Sequence, residues 1–400
     1  MELLRLLTAG NVDDGKSTLI GRLLWETQNI TQEEEEELFL QKKNEEPPEV
    51  SKLLDGLKDE REQGITIDVA YRFFRTSQRR FIIADCPGHA QYTRNLLVGA
   101  AQSELALVVV DASRPIAEQT RRHIRLLQLL RMPQIVFMIN KMDLVDHQHA
   151  KYQVKISEIQ EILQVLDSGR FHFIPVSAIT GENLVNRTTQ MAWYEGPTLL
   201  KFLETVSCSN KKNKHGLRLV IQKTLLDPTQ KTAASRVYAG RILSGEIKTG
   251  DSIYIRPLGL RSQVKKIYVG KEARCSVSYP ESISFTLCDD IDIRRGDVVT
   301  LESNDCLITE QIEAELFWFD SNPCENSKNY ILRHTCQESL ARVNLMEENS
   351  SSGQNREFFR AQLTLSKSLW IDQHKNHRES GLFLIIDPVT ANAVGAGLVV

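Results

Sequence analysis

Absences narrow the reading first. No apolar run in the 400 residues approaches the roughly 18 needed to span a bilayer. No excess of one charge is present: 49 basic side chains face 52 acidic ones. That balance does not advertise a nucleic-acid or membrane surface. Cysteine is sparse, and its seven copies are scattered singly without a CxxC pair. Such usage fits reduced thiols in a cytosol better than a disulfide framework or a zinc site. The opening "MELLRLLTAG" lacks the layout of a signal peptide. These features together predict a cytoplasmic protein with no nucleic-acid and no membrane partner. The length is too great for one ordinary core and suits two or three domains.

What is present begins with "GNVDDGKSTLIGRLL", Gly10 to Leu24. An apolar strand over about Leu3 to Ala9 precedes it, and an amphipathic helix from Lys16 to about Thr27 follows. Strand, GxxxxGK[ST] and helix form the context of a phosphate-binding loop. Gly10 and Gly15 permit the tight wrap around Asn11 and Val12. Backbone N–H groups from Asp13, Asp14, Gly15, Lys16, Ser17 and Thr18 converge on a β-phosphate at a helix N-terminus. Lys16 brings a point charge to the β- and γ-phosphates, and the Ser17 hydroxyl is placed to bind Mg²⁺.

Three further strings choose the nucleotide. "FIIADCPGH" sets Asp85 at the end of an apolar strand, where it can hold Mg²⁺ through water. Cys86 and Pro87 follow, and Gly88 can turn its N–H to a γ-phosphate. "QIVFMINKMDLVD" ends a strand in Asn140, Lys141, Met142 and Asp143. A carboxylate at Asp143 can accept from N1–H and the 2-amino group of guanine. Adenine offers neither donor there, and an unpaired buried carboxylate penalises it. "FIPVSAITG" closes another strand at Ser177 and Ala178, where a backbone N–H can meet guanine O6. The expected nucleotide is GTP.

In these motifs the sequence resembles the translational-factor superfamily of GTPases. The resemblance implies that "EREQGITIDVAYRFF", Glu60 to Phe74, is switch I, with Thr66 as ligand to Mg²⁺ and the γ-phosphate. It implies that "DCPGH" is switch II, with His89 positioning the attacking water between Val12 and Ile65 as an apolar gate. Within that superfamily Asp13 is shared, and it helps seat a monovalent cation near the phosphates. "VDDGKSTLIGRLL", "LLDGLKDEREQGITIDVAYRFF", "DCPGHAQYTRN", "EQTRRH", "NKMDLVD" and "WYEGPTLL" are similar to one branch. That branch comprises the GTPase subunits of bacterial heteromeric sulfate adenylyltransferases. The likeness is dense from Leu3 to about Val206. It continues more thinly through "DDIDIRRGDVV" and "LIIDPVTANAVGAGLVV". It implies GTP hydrolysis that drives synthesis of adenosine 5′-phosphosulfate from ATP and sulfate on a smaller catalytic partner subunit. Ala90 stands where the branch commonly has glutamate, and Cys86 where it has threonine. Asp14 stands where tRNA-delivering factors carry histidine or alanine. It is read as a solvated aspartate that favours the helix dipole.

Composition divides the rest. A P-loop GTPase domain, an α/β doubly wound and mostly parallel sheet, is expected over 1–206. The acidic run Glu33 to Glu37 within it reads as a solvated helix face or mobile loop. After the polar linker "SCSNKKNKHG", short alternating strands predict antiparallel β-barrels over 216–303 and 308–400. "GEIKTGD", Gly245 to Asp251, reads as a hairpin-like connection, and "EENSSSGQN", Glu347 to Asn355, as an exposed loop. His374 and His377 are placed on a surface loop rather than at a metal. No second GxxxxGK[ST] string occurs, so no fused adenylylsulfate kinase is expected. No SGGxDS-type loop is present to carry out ATP sulfurylation.

Two rivals share these motifs. An elongation factor would bind aminoacyl-tRNA on its barrels. Asp305 to Val400 carries 13 acidic and 8 basic side chains, which opposes an RNA surface. A GTP-bound scaffold without turnover is the other, and a phosphate-release assay with the partner separates it.

Overall fold

The computed structural model describes residues 2–31, 36, 50, 68–89, 93–163, 170–207, 216–226, 236–301, 306–346 and 357–400. The chain forms two compact units, Met1–Cys208 and Ser209–Val400. Switch I up to Ile67, most of the acidic run Glu33 to Glu37, Ala90, the middle of the linker and the loop Glu347 to Asn355 lie outside the described residues.

The first unit is built on six strands: β1 (Leu3–Ala9), β2 (Ala70–Arg75), β3 (Arg80–Asp85), β4 (Leu105–Asp111), β5 (Gln134–Asn140) and β6 (Phe171–Pro175). Their order is β2-β3-β1-β4-β5-β6. All neighbours run parallel except β2, which is antiparallel to β3. The described helices of this unit are α1 (Lys16–Glu26), α2 (Thr93–Gln102), α3 (Glu118–Leu129), α4 (His149–Leu163) and α5 (Leu199–Thr205). β4 explains why the sheet sits centrally. Every residue of "LALVVVD" is buried, as a parallel strand covered on both faces requires. α1 turns Leu19, Ile20, Leu23 and Leu24 into the same core. At the other edge Phe74 of β2 stacks on Phe81 of β3 with centroids 4.3 Å apart, a contact of about 0.5–1.5 kcal/mol beyond burial. Sequence order reverses about β1, whose neighbours are β3 and β4. Ligands of open α/β sheets bind beyond the carboxyl ends of strands at such a reversal.

The second unit holds two closed antiparallel barrels, as the alternating patterns predict. In the first, β7 (Arg218–Leu226), β8 (Arg236–Ser244), β10 (Ser252–Arg256), β11 (Leu260–Val269), β14 (Ser282–Leu287) and β15 (Val298–Thr300) close through β10, which pairs with both β11 and β15. β12 (Glu272–Arg274) extends β11. In β14, "SISFTL" buries every second residue, the mark of a strand with one face in a barrel. The second barrel runs β16-β19-β18-β17-β20-β21 and closes from β21 to β16. Its strands are β16 (Leu307–Trp318), β17 (Asn329–His334), β18 (Gln337–Leu345), β19 (Phe358–Ile371), β20 (Leu382–Ile386) and β21 (Ala393–Val399).

Two expectations need correction here. "GEIKTGD" does not fold on itself as a hairpin. β9 (Glu246–Lys248) pairs with the distant β13 (Ser276–Ser278) in a separate two-stranded sheet. His374 does not sit on a surface loop; it is buried. The segment after β19 folds back on β21, with the His374 amide on Val399 O at 3.0 Å and the Val399 amide on Gly381 O at 3.0 Å. The ring of His374 is carried inward while Lys375 and Asn376 stay exposed. His377 is half-buried.

The two barrels are joined through Trp370. It packs with Val220 and Val298 and donates from Nε1 to Gly296 O at 2.7 Å. Beside it Arg218 forks onto Asp372, with Nε to Oδ2 at 3.0 Å and Nη2 to Oδ1 at 2.9 Å. Both side chains are almost fully buried. The pair should therefore matter most when half of it is removed. Arg218→Ala strands a buried carboxylate, a loss of about 3–5 kcal/mol. Urea unfolding of the full chain should show the second unit melting at clearly lower denaturant. An unmoved transition would show that water relieves Asp372 without cost.

Candidate nucleotide-binding site

The loop after β1 wraps on three residues of positive φ. Gly10 has φ 134°, Asp13 has φ 67° and Gly15 has φ 93°. A Cβ at Gly15 would run into the Asn140 amide, so the position admits only glycine. Lys16 opens α1 and is buried. Its ammonium lies over the loop and donates to Asn11 O at 2.7 Å and Gly10 O at 3.3 Å. Burial pushes its pKa down, opposed by the Asp85 and Asp14 carboxylates, which favour the charge. Ser17 and Thr18 stand half-buried in the first turn of α1, and Val12 half-buried in the loop.

The loop after β5 stands opposite. Lys141 adopts φ 62°, and Met142–Val145 form one 3₁₀ turn. That geometry turns Asp143 into a cleft of about 310 Å³ lined by Asp13, Gly15, Thr18, Asn140, Lys141, Asp143, Ala178 and Ile179. One carboxylate oxygen of Asp143, Oδ1, is buried and has no hydrogen-bond partner. A buried acceptor without a donor is costly, and a ring N–H of guanine supplies one. Asn140 lines the cleft and is also bonded within the protein. Its Nδ2 donates to Asp14 O at 2.8 Å, and its Oδ1 accepts from the Ala178 amide at 2.9 Å. It fastens the phosphate loop, its own loop and the Ser177–Ala178 loop together. Met142 is fully buried, and its amide bonds Val176 O at 3.2 Å. His147 meets Glu182 at 2.6 Å, and Glu182 in turn bridges to Ser177.

Asp85 ends β3, buried, and accepts from Thr8 Oγ1 of β1 at 2.7 Å. Cys86 is fully buried, and its thiol contacts the core beneath α2: a Cβ on Gly99 would come within 2.7 Å of Sγ. Burial, with the Asp85 charge beside it, pushes that thiol far above its ordinary range. Pro87 is buried beside it. Gly88 lies against the phosphate loop, where a Cβ would be 2.6 Å from Lys16 Nζ and 2.7 Å from Val12 N. His89 is exposed at the end of this segment. Thr66 and Ile65 lie outside the described residues. Among the described residues no group of three or more His, Cys, Asp or Glu side chains could hold a metal alone. The Ser17 hydroxyl and the Asp85 carboxylate are hard oxygen donors that suit Mg²⁺ shared with phosphates. No described helix is long and apolar enough to cross a membrane.

Comparison with known proteins decides the family. Residues 1–227 match the elongation factor Tu GTP binding domain. The whole chain is 38% identical to sulfate adenylyltransferase subunit 1 of Bacteroides thetaiotaomicron, over 100% of this chain and 86% of that protein. It is 37% identical to the bifunctional enzyme CysN/CysC of Mycobacterium tuberculosis, over 99% of this chain and 67% of that one. The chain belongs to the sulfate adenylyltransferase subunit 1 family. Among solved structures, the GTP-bound Ski7 GTPase-like domain of S. cerevisiae matches with TM-score 0.58 at 18% identity, over 100% of this chain and 97% of that one. The bacterial selenocysteine-specific elongation factor EF-Sec matches at 0.51 and 20% identity, over 100% of this chain and 58% of that one. At such identities these two show the fold alone.

For this subunit 1 chain, Asp14 is the main correction. It is not solvated but buried. Its Oδ2 accepts from the Asn11 amide at 2.8 Å and from Thr120 Oγ1 at 3.2 Å, and its Oδ1 from Arg114 Nη2 at 3.1 Å. Burial pushes its pKa up, opposed by the Asn11 and Arg114 hydrogen bonds and the Lys16 charge. The carboxylate is turned to Thr120 of α3 and to Arg114. Sequence reasoning also missed the support behind it. Thr120 accepts from the Asn11 amide at 3.1 Å, and His123 Nδ1 accepts from the Gly10 amide at 3.1 Å. Burial, with Lys16 and Arg122 nearby, lowers the His123 pKa to about 3. The ring is neutral, and its Nε2 lies 2.7 Å from Gln119 Nε2. The string "EQTRRH" held the clue: Thr120 and His123 lie three apart on one face of α3.

The orphaned acceptor generates a prediction. Asp143→Asn replaces an acceptor with an amide that donates. Xanthine carries oxygen where guanine carries its 2-amino group, so the variant should lose GTP and gain xanthosine triphosphate. Competition binding that still ranks GTP first by the wild-type margin would remove Asp143 from base recognition.

Proposed function

We propose that this chain is the GTP-hydrolysing subunit of a sulfate adenylyltransferase, coupling hydrolysis to synthesis of adenosine 5′-phosphosulfate from ATP and sulfate on a smaller catalytic partner subunit. The observation that carries the reading is the cleft between the phosphate loop and the unpartnered Asp143 Oδ1, in a chain of this family. A guanine base would meet Asp143, with the Ala178 backbone near its O6. Its β-phosphate would lie in the loop amides from Asp13 to Thr18, with Lys16 over the β- and γ-phosphates. Gly88, packed against Lys16, presents a backbone N–H to the γ-phosphate. Ser17 and Thr66 would hold Mg²⁺ directly and Asp85 through water. When bound, that ion neutralises charge developing on the phosphates. Asp13, exposed at the mouth, is placed for a monovalent cation. His89 orients the attacking water, with Val12 and Ile65 as its apolar screen. The cytosol is the expected setting for an enzyme of nucleotide and sulfate chemistry whose cysteines are scattered singly along the sequence.

The coupling follows from chemistry. The phosphosulfate bond is more easily broken than the phosphoanhydride it replaces, so sulfate activation from ATP alone stalls at trace product. A second nucleotide hydrolysed in step with the reaction supplies the missing drive. Thr66 and Gly88 both read the γ-phosphate, so its loss releases two segments at once.

GTP hydrolysis should be slow in the isolated chain, on the order of 10⁻⁴–10⁻² s⁻¹. It should accelerate with partner, ATP and sulfate together. Product at steady state should exceed the level reached without GTP, and a non-hydrolysable GTP analogue should not support the excess. His89→Ala should bind GTP nearly as well yet lose at least about tenfold in rate. Equal yields with and without GTP would make the chain a regulator or scaffold rather than an energy-coupling subunit.

A further inference from the structure

Beside the cleft runs a chain of ion pairs that the steps above leave unused. Arg114 Nη2 binds Asp14 Oδ1 at 3.1 Å and comes within 3.4 Å of Val12 O. Its Nε binds Asp111 Oδ2 at 3.1 Å. The same Asp111 oxygen takes Lys141 Nζ at 2.8 Å. One guanidinium therefore touches the phosphate loop with one nitrogen. With another it touches the carboxylate that holds the lysine of the base-reading loop. We infer that Arg114 is a positioning residue for the guanine nucleotide, coupling the set of the phosphate loop at Asp14 to the set of the base-reading loop at Lys141. This rests on the guanine-nucleotide reading of the cleft.

Burial makes the link consequential. The Asp14 and Asp111 side chains are each 4% exposed, against 41% for Arg114. Surface ion pairs contribute little, but a buried carboxylate responds strongly to its partner. The planar fork suits two acceptors at once, which an ammonium does not. The arginine is itself held, because Lys155 Nζ of α4 donates to its carbonyl at 2.7 Å. For Asp111, burial pushes the pKa up, but hydrogen bonds from Lys141 and Ser113 outweigh it and hold the carboxyl below its usual range. It stays an anion able to grip both cations.

The same contacts predict that the fold survives without Arg114. Asp14 keeps the Asn11 amide and Thr120, and Asp111 keeps Lys141 and Ser113. What disappears is the bridge. Asn140 also joins the two loops, but through the Asp14 carbonyl, so it holds the backbone and leaves the Asp14 carboxylate to Arg114.

The test uses the full chain and fluorescent methylanthraniloyl-GDP, with dissociation rates read by stopped flow. Arg114→Ala should weaken GDP by about threefold to tenfold, and Arg114→Lys should recover part of the loss. The decisive readout is a double-mutant cycle on Asp14→Asn and Asp111→Asn. With Arg114 in place, the combined effect should differ from the product of the single effects by at least about threefold. In the Arg114→Ala background that difference should vanish. A purely structural arginine would lower the melting temperature of the nucleotide-free chain without changing the cycle. Unchanged GDP affinity in Arg114→Ala, or a coupling that persists without Arg114, would overturn the inference. If the unaltered chain bound no GDP, the guanine reading itself would fall, and the positioning role with it.

Discussion

The Asn140 side chain donates to the Asp14 carbonyl and accepts from the Ala178 amide, and the geometry of the cleft depends on those two bonds. Three loops reach the site from β1, β5 and β6, and each would be free to drift on its own. A primary amide carries two N–H donors and a carbonyl acceptor, and here one N–H and the oxygen are used inside the protein. The bonds are buried, where they are stronger and costlier to lose than in water. Gly15 fits this arrangement because any side chain there would displace the amide. Asn140 thus fastens the three loops together, while Asp143 keeps an acceptor, Oδ1, without a partner.

Around that fastener the site is layered. The residues that would touch nucleotide are mostly backbone, with Lys16 and Asp143 as side-chain exceptions. Behind them stand Thr120, His123 and Asp14, whose bonds end on the amides of Gly10 and Asn11. A neutral histidine is the right partner there. An imidazolium would donate toward an N–H that also donates, and it would sit close to the Lys16 charge. Burial removes that risk. Thr8 plays the corresponding part for Asp85, setting one carboxylate oxygen.

Much of this was legible in the sequence, for a physical reason. Each parallel strand is a nearly unbroken apolar run that ends in the motif it presents, so β1, β3 and β5 announce both element and site. The barrels were legible because their strands alternate. What escaped reading depends on contacts across long separations. Asp14 looks solvated beside Asp13 because the local pattern is identical for both. Only the approach of Thr120 and Arg114 separates the buried carboxylate from the exposed one. His374 was hidden similarly, since its charged neighbours face out while β21 draws its own backbone inward. The pairing of β9 with β13 has no local signature at all.

The segment after β3 is held closely against the phosphate loop. Thr8 ties Asp85 to the strand that carries the phosphate loop, so the start of the switch II segment is fixed. Three residues later Gly88 lies so near Lys16 and Val12 that no Cβ fits between them. Between a fixed aspartate and a glycine in contact with the loop there are only Cys86 and Pro87. Both are buried, and the ring of proline fixes φ. So short and stiff a lever cannot absorb a change at the phosphate by bending in the middle. A shift in what Lys16 holds would instead pass through Gly88, packed against Lys16 and Val12, toward the exposed His89.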